Sequence, residues 1–162
     1  MDGPFRSELR PVRLLFACVE NSCRSQMAEA FARQFAGDHV VAYSAGSRPC
    51  GQVRSKVIAA MKEVGCDLRE HRSKPIAEIA SLDFDVAVDM GCGDLIRQVR
   101  AQRYESWDIP VPKDLPPGPF RAVRDQIETR VKQLLAQLKL PLDLQADGGK
   151  RPATTARCRA SS

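Results

Sequence analysis

Hydrophobic residues follow two periods along the chain, and the two periods alternate. Short apolar runs predict buried strands over 13–18, 39–44, 84–89 and 104–109, and apolar residues three or four apart predict helices over 24–37, 53–64, 94–101 and 116–140. Strands that alternate with helices form parallel sheets. We therefore predict an α/β fold, a single domain with a four-stranded parallel sheet and helices on both faces.

The two ends of the chain lack this patterning. Residues 1–11 are polar with two prolines and predict a flexible lead-in, whereas residues 142–162 are rich in small and basic residues and predict a disordered basic tail. The domain is then expected to span 12–141. Apolar residues make up 43% of the 162 positions, which suffices for one hydrophobic core.

Charge and hydropathy argue against two classes of partner. The net charge is +5, but residues 145–162 carry +3 of it, and no basic stripe is interleaved with aromatic residues. This distribution argues against nucleic-acid binding. No apolar run approaches the roughly 18 residues of a membrane span, and no apolar leader precedes the first charges, so we expect a cytoplasmic protein without membrane contact.

Cysteines are the first sign of chemistry, and they stand at positions 18, 23, 50, 66, 92 and 158. A chain of this length folds without a disulfide framework, so catalysis or metal binding is the expected use of its cysteines. There is no C-x-x-C pair and there are only two histidines, which argues against a zinc site.

One cysteine opens a loop with the layout of an anion site. Cys18 ends the first predicted strand and Arg24 begins the first predicted helix, in the pattern C-x5-R-S. The backbone N–H groups expected to wrap around an oxyanion belong to Val19, Glu20, Asn21, Ser22, Cys23 and Arg24. The helix dipole and the planar guanidinium of Arg24 add positive charge, so Cys18 is expected to be a nucleophilic thiolate.

The same C-x5-R-S string occurs a second time, from Cys66 to Ser73. It follows a predicted helix rather than a strand, and no amphipathic helix comes after it. It also contains Asp67 and Glu70, whose carboxylates repel anions. We therefore expect no anion site at the second string.

The first loop and its helix, LFACVENSCRSQMAEA at 15–30, resemble the low-molecular-weight tyrosine phosphatase superfamily, and most of all its thioredoxin-coupled arsenate reductase branch. The resemblance extends over about residues 13–140, with further blocks at 44–47, 65–73, 90–94 and 107–110. It implies a four-stranded parallel sheet and a site for arsenate or phosphate.

The resemblance also implies roles for single residues. Cys18 is the nucleophile, Arg24 clamps the oxyanion, and Ser25 donates a hydrogen bond to the thiolate. Asn21 holds the loop in a left-handed backbone conformation, and Ser44 braces Asn21 from the next strand. Some members of the superfamily bind potassium beside this loop, and the matching candidates here are Asn21, Glu29, Ser44 and Asp67.

The fate of the adduct on Cys18 separates two activities. In the reductases a second thiol attacks Cys18 and releases arsenite, and Cys92, after the third strand, matches that thiol. Cys23 and Cys158 remain open as alternatives. The branch's third cysteine is absent from 95–99. The resemblance implies no bound cofactor but an external thiol reductant, either thioredoxin or a glutathione or mycothiol system.

The phosphatases need a general acid, which the family supplies from the second aspartate of Trp-Asp-(Ile/Leu)-Pro-Asp-Pro. This chain has Val111 there, so Asp108 and Asp114 are left as candidate acids. Arsenate exchanges its hydroxyls more readily than a phosphate ester loses an alcohol, so the missing acid favours reduction. We expect an arsenate reductase. The alternatives are a low-molecular-weight tyrosine phosphatase and a non-catalytic oxyanion-binding module.

Overall fold

The computed structural model describes residues 10–142, apart from the side chains of residues 94 and 95. It contains one parallel sheet in the order β2-β1-β3-β4, formed by Val12–Cys18 (β1), Val40–Gly46 (β2), Asp83–Asp89 (β3) and Arg100–Ser106 (β4). The predicted four-stranded parallel sheet is confirmed. The predictions for residues 1–9 and 143–162, Cys158 included, lie outside the described residues.

Helices cover the two faces of this sheet unequally. Three α-helices pack on the larger core of one face: Arg24–Ala36 (α1), Ser55–Glu63 (α2) and Pro117–Gln137 (α3). The other face lies under two short 3-10 helices, Ile76–Ile79 and Gly93–Gln98. Phe16 belongs to the first core and Leu15 to the second, because successive side chains of a strand point to opposite faces.

The last strand begins and ends earlier than the sequence predicts. The prediction has a helix over 94–101 and a strand over 104–109, whereas the structure has the 3-10 helix Gly93–Gln98 followed directly by β4. Because β4 is an edge strand, most of its residues are exposed and it lacks the apolar run that marks a buried strand.

The strand order places β1 between β2 and β3, so the loop after β1 lies at the centre of the sheet's carboxyl edge. Parallel sheets bind their ligands at this edge. Within residues 10–142, no helix is both long enough and apolar enough to cross a bilayer.

Candidate active site

The loop between β1 and α1 turns its carbonyl groups outward. The segment 47–54 donates four backbone N–H groups to the carbonyl oxygens of residues 18, 19, 20 and 22, at 2.7 to 3.4 Å. The side-chain amide of Gln26 donates to the carbonyl of Asn21 at 3.1 Å. A trans peptide points its C=O and N–H in opposite directions, so the N–H groups of residues 19–23 face the inside of the loop, in the arrangement of a nest that can accept an anion.

Helix α1 completes this site. No side chain caps its N-terminus, so the N–H groups of its first turn remain available to an anion. Arg24 and Cys18 line a cavity of about 280 Å³ at the mouth of the loop. The other lining residues are Val19, Glu20, Ser22, Cys23, Val111 and Lys113. The cavity thus brings together a thiol, a guanidinium and a set of inward N–H groups.

Asn21 and Ser25 hold the cysteine sulfur. Asn21 has a φ of 51°, the left-handed conformation expected of it. Its Nδ2 donates to the Ser25 Oγ at 2.7 Å, and that Oγ lies 2.9 Å from the Cys18 Sγ. Because Asn21 occupies an acceptor position of the Ser25 hydroxyl, the hydroxyl proton is left to be donated to the Cys18 sulfur.

Ser44 does not brace Asn21, which corrects the prediction. Its hydroxyl donates to the Glu29 Oε1 at 2.6 Å. The cause is its position in β2, where Ser44 pairs with Phe16, two residues short of the carboxyl end of β1. From there the hydroxyl reaches the buried side chain of Glu29 on α1. Asn21 is held by Ser25, Gln26 and Lys74 instead.

The potassium candidates, Asn21, Glu29, Ser44 and Asp67, do not fit a cation site. The Glu29 carboxylate forms an ion pair with Arg33 at 2.9 Å, in addition to its hydrogen bond from Ser44. Asp67 forms an ion pair with Arg69 at 2.8 Å. Guanidinium groups therefore already neutralise both carboxylates, and they repel a further cation. No step of the chemistry is assigned to potassium.

The loop after β3 carries Cys92 to the same edge of the sheet. The Asp89 Oδ1 accepts the backbone N–H groups of Gly91, Cys92 and Gly93 at 2.7, 2.8 and 3.2 Å. Cys92 is buried, and this burial, followed by the charge of Asp89, raises the pKa of its thiol to about 12. Cys92 is therefore a protonated thiol at rest.

This loop rests on the guanidinium of Arg24. A Cβ at Gly91 would lie 2.8 Å from the Arg24 Nη1, and Gly91 has a φ of +132°, which L side chains rarely adopt. On its other side, Nη1 donates to the carbonyl of Ile109 at 3.1 Å. Glycine is thus required for the approach, and Arg24 is held between the loop after β3 and the segment after β4.

Cys23 lines the cavity together with Cys18, whereas Cys92 is not among the lining residues. Cys23 lies inside the anion loop and is only 5% exposed. Burial raises the pKa of its thiol to about 11. Cys23 and Cys92 are therefore both protonated at rest, and their protonation does not favour one over the other as the partner of Cys18.

The position of the family's general acid faces this cavity. Val111 lines it with 54% of its surface exposed, while the exposed Asp108 and Asp114 are not among the lining residues. A charged pair that sequence reasoning missed does line it: the Lys113 Nζ lies 3.2 Å from the Glu20 Oε2. These residues are 93 positions apart, and no local pattern connects them.

The second C-x5-R-S string folds into another arrangement. The buried thiol of Cys66 donates to the side-chain carbonyl of Gln34, and Arg72 forms an ion pair with Glu78. Neither Cys66 nor Arg72 is among the residues that line the cavity beside Cys18.

Comparison with known proteins identifies relatives of this fold and loop. The profile of a family described as low molecular weight phosphotyrosine protein phosphatase matches residues 13–143. The glutaredoxin arsenate reductase of Synechocystis sp. is 35% identical over 129 residues, which cover 78% of this chain and 98% of that protein.

Two solved structures extend the likeness to three dimensions. An arsenate reductase in its phosphate binding state has a TM-score of 0.72 and 35% identity, covering 78% of this chain and 98% of the other. A thioredoxin-dependent arsenate reductase of Corynebacterium glutamicum has a TM-score of 0.67 and 25% identity, covering 85% of this chain and 66% of the other.

Proposed function

The chain belongs to the low molecular weight phosphotyrosine protein phosphatase family, and we propose that it is an arsenate reductase within that family. The observation that carries the proposal is the position of Cys92, whose loop rests on the Arg24 guanidinium beside the cavity that Cys18 lines. A second thiol at an anion site serves reduction, because it takes part in a disulfide that hydrolysis does not need.

The first step joins arsenate to Cys18. The inward N–H groups of residues 19–23 and the fork of Arg24 bind the arsenate oxygens, and Ser25 donates to the Cys18 sulfur. The thiolate of Cys18 attacks arsenic, a bond from sulfur to arsenic forms, and one arsenic–oxygen bond breaks. The departing oxygen leaves with its electron pair and is protonated to water.

The second step releases arsenite. Cys92 releases its proton to solvent and its sulfur attacks the Cys18 Sγ, forming a disulfide. The sulfur–arsenic bond breaks, and its electron pair stays with arsenic, which is thereby reduced from arsenate to arsenite while the two thiols are oxidised. For this step the loop after β3 has to leave its resting position, in which Asp89 and Arg24 hold it.

An external thiol then restores the enzyme. The relatives' names indicate glutaredoxin in one protein and thioredoxin in another. In this chain, residues 95–99 contain no cysteine to relay the disulfide, so the reductant attacks the Cys18–Cys92 disulfide directly. Both thiols have to be reduced between turnovers, and we place the enzyme in the cytoplasm, which provides that reducing environment.

Hydrolysis of phosphate esters is the weaker candidate. A phosphatase protonates its leaving alcohol with a carboxyl group, and this cavity has the side chain of Val111 at that position. Its one lining carboxylate, Glu20, forms ion pairs with Arg54 and Lys113, which lower its pKa to about 2. Glu20 is therefore ionised at neutral pH and cannot donate a proton.

The test compares the unaltered chain with Cys92→Ser and, as a matched control, Cys66→Ser. Each is supplied with arsenate and either thioredoxin, thioredoxin reductase and NADPH, or a glutathione or mycothiol system, and released arsenite is measured. We expect arsenite from the unaltered chain and from Cys66→Ser but not from Cys92→Ser.

Two results would contradict the proposal in different ways. Full arsenite release by Cys92→Ser would assign the second step to another thiol, such as Cys23. Hydrolysis of an aryl phosphate through Cys18, with no arsenite under any reductant, would replace the reductase by the phosphatase.

A further inference from the structure

An ion pair bridges two segments at the mouth of the cavity. Glu20 lies in the anion loop and Lys113 follows β4, and their side chains meet at 3.2 Å while both residues line the cavity with Cys18 and Arg24. The Glu20 Oε1 also accepts from Arg54 at 2.7 Å. Since Arg54 already balances the carboxylate, the ammonium of Lys113 is an additional positive charge beside the anion site.

The backbone that carries Lys113 is fixed. The ammonium of Lys56 in α2 donates hydrogen bonds to the carbonyl of Lys113 at 3.1 Å and to the carbonyl of Leu115 at 3.3 Å. A little earlier in the segment, the carbonyl of Ile109 accepts from Arg24. The backbone of Lys113 is therefore held by hydrogen bonds, and the ion pair with Glu20 orients the Lys113 side chain at the cavity.

The oxygen that leaves arsenic in the first step needs a proton, and most of the side chains in or near the cavity cannot donate one. Arg24 keeps its protons at any relevant pH. Glu20 is ionised, Val111 has no proton to give, and the exposed Asp108 and Asp114 do not line the cavity. The Ser22 hydroxyl already donates to Glu20 at 3.2 Å, and burial raises the pKa of the Cys23 thiol to about 11. Among the described residues that line the cavity, the remaining donor is the ammonium of Lys113.

We infer that Lys113 is the proton donor to the oxygen that leaves arsenic, in place of the family's carboxyl group at position 111, and that Glu20 is its positioning residue. The inference rests on the proposed arsenate reductase function. As the bond from Cys18 to arsenic forms, the arsenic–oxygen bond breaks and the oxygen takes both electrons. A proton moves from the Lys113 Nζ to this oxygen, water leaves, and the neutral amine regains a proton from solvent.

Three variants and a matched control separate proton donation from charge. Lys113→Met removes both, and Lys113→Arg keeps the charge but gives up no proton. Val111→Asp in the Lys113→Met background returns a carboxyl group to the family's acid position. Lys62→Met, at an exposed lysine of α2 that is not among the lining residues, is the matched control. Circular dichroism melts check that every variant folds.

The rate of adduct formation, rather than that of arsenite release, is measured in a single turnover with enzyme in excess over arsenate, so that neither the attack by Cys92 nor recycling by the reductant limits it. We expect Lys113→Met and Lys113→Arg each to lower this rate by about 100-fold. Adding Val111→Asp to Lys113→Met should raise the rate by at least about tenfold. Glu20→Gln should lower the rate less than either lysine variant. Lys62→Met should match the unaltered chain.

Parallel assays with phenyl phosphate and p-nitrophenyl phosphate test the same residue on esters. The loss in Lys113→Met should be larger for phenyl phosphate, because its leaving group is the stronger base and needs the proton more. A wild-type rate in Lys113→Arg would overturn proton donation in favour of charge, and a rate within about twofold of wild type in Lys113→Met would overturn any role.

The two proposals fail in distinguishable ways. If the unaltered chain releases no arsenite but hydrolyses phenyl phosphate, the reductase function is overturned, and Lys113 is judged by the ester rates alone. If the unaltered chain turns over neither substrate, both proposals are overturned.

Discussion

The loops after β1 and after β3 lie side by side at one edge of the sheet, and they are held in different ways. All five carbonyls of residues 18–22 are hydrogen-bonded from outside the loop, by segment 47–54 and Gln26. The loop of Cys92 is held after Met90 by three N–H groups that share the single carboxylate of Asp89, by its contact with Arg24, and by the burial of Cys92. The carbonyls of the first loop are thus fixed by separate donors, whereas the hydrogen bonds of the second converge on one carboxylate, so that loss of the Asp89 contacts would free the loop of Cys92.

The comparison predicts the largest loss when the fixed loop loses its nucleophile. Cys18→Ser should lower arsenite release by at least about 10⁴-fold, because the thiolate forms the bond to arsenic and the hydroxyl is a far weaker nucleophile. Arsenite is measured with an excess of reductant. Cys66→Ser, at the same place in the second C-x5-R-S string, should keep the wild-type rate. Measurable turnover by Cys18→Ser would assign the adduct to another residue.

The second prediction concerns Arg24, which follows the first loop and contacts the second. Arg24→Lys should lower the rate of adduct formation by about 10²–10³-fold, because an ammonium does not reproduce the planar fork that binds two oxygens. Arg72→Lys, at the matching place of the second string, should have no effect on the rate. Stopped-flow single turnovers measure both. Equal rates for the two variants would show that Arg24 does not bind the oxyanion.

The loop that carries Cys92 makes a prediction about pH. Burial and the charge of Asp89 raise the pKa of Cys92 to about 12, so its thiolate fraction grows about tenfold for each pH unit well below that value. Arsenite release in a single turnover should therefore rise by about 100-fold from pH 7 to pH 9. A release rate that stays flat over this range would mean that Cys92 does not supply the attacking sulfur.

The smallest expected effect compares two glycines of the loop that carries Cys92. Gly91→Ala should lower stability by about 1–3 kcal/mol and slow adduct formation about tenfold, because the new Cβ strains the backbone and displaces the Arg24 guanidinium. Gly93→Ala meets no neighbouring atom and should cost stability only. Thermal melts and single turnovers measure the pair. If Gly91→Ala formed the adduct as fast as Gly93→Ala or faster, the contact between this loop and Arg24 would be contradicted.

Sequence reasoning succeeded where the determinants are contiguous. β1, the anion loop and α1 follow one another, so their order alone predicts an anion site with Cys18 and Arg24 at its two ends. The left-handed conformation of Asn21 is equally local. Asp89 could also have been found, because an aspartate at the end of a buried strand, followed by Gly91 and Gly93, marks a tight turn around a carboxylate.

The failures concern contacts across the fold. The family resemblance predicts a contact of Ser44 with Asn21, but the position of Ser44 in β2, opposite Phe16, places its hydroxyl beside Glu29. β4 was placed too late because an exposed edge strand has no apolar run to mark it. The pair of Glu20 and Lys113 joins two loops 93 residues apart, and only the strand order brings these loops together.

The central claim is that the thiols of Cys18 and Cys92 reduce arsenate and are themselves oxidised to a disulfide. Mapping the disulfide after one turnover tests it most directly. The chain is mixed with arsenate without reductant, quenched with an alkylating reagent, digested and analysed by mass spectrometry. The account predicts a peptide pair joined between Cys18 and Cys92, with one arsenite released per chain. A disulfide between Cys18 and Cys23, or free thiols at both Cys18 and Cys92 after arsenite release, would contradict it.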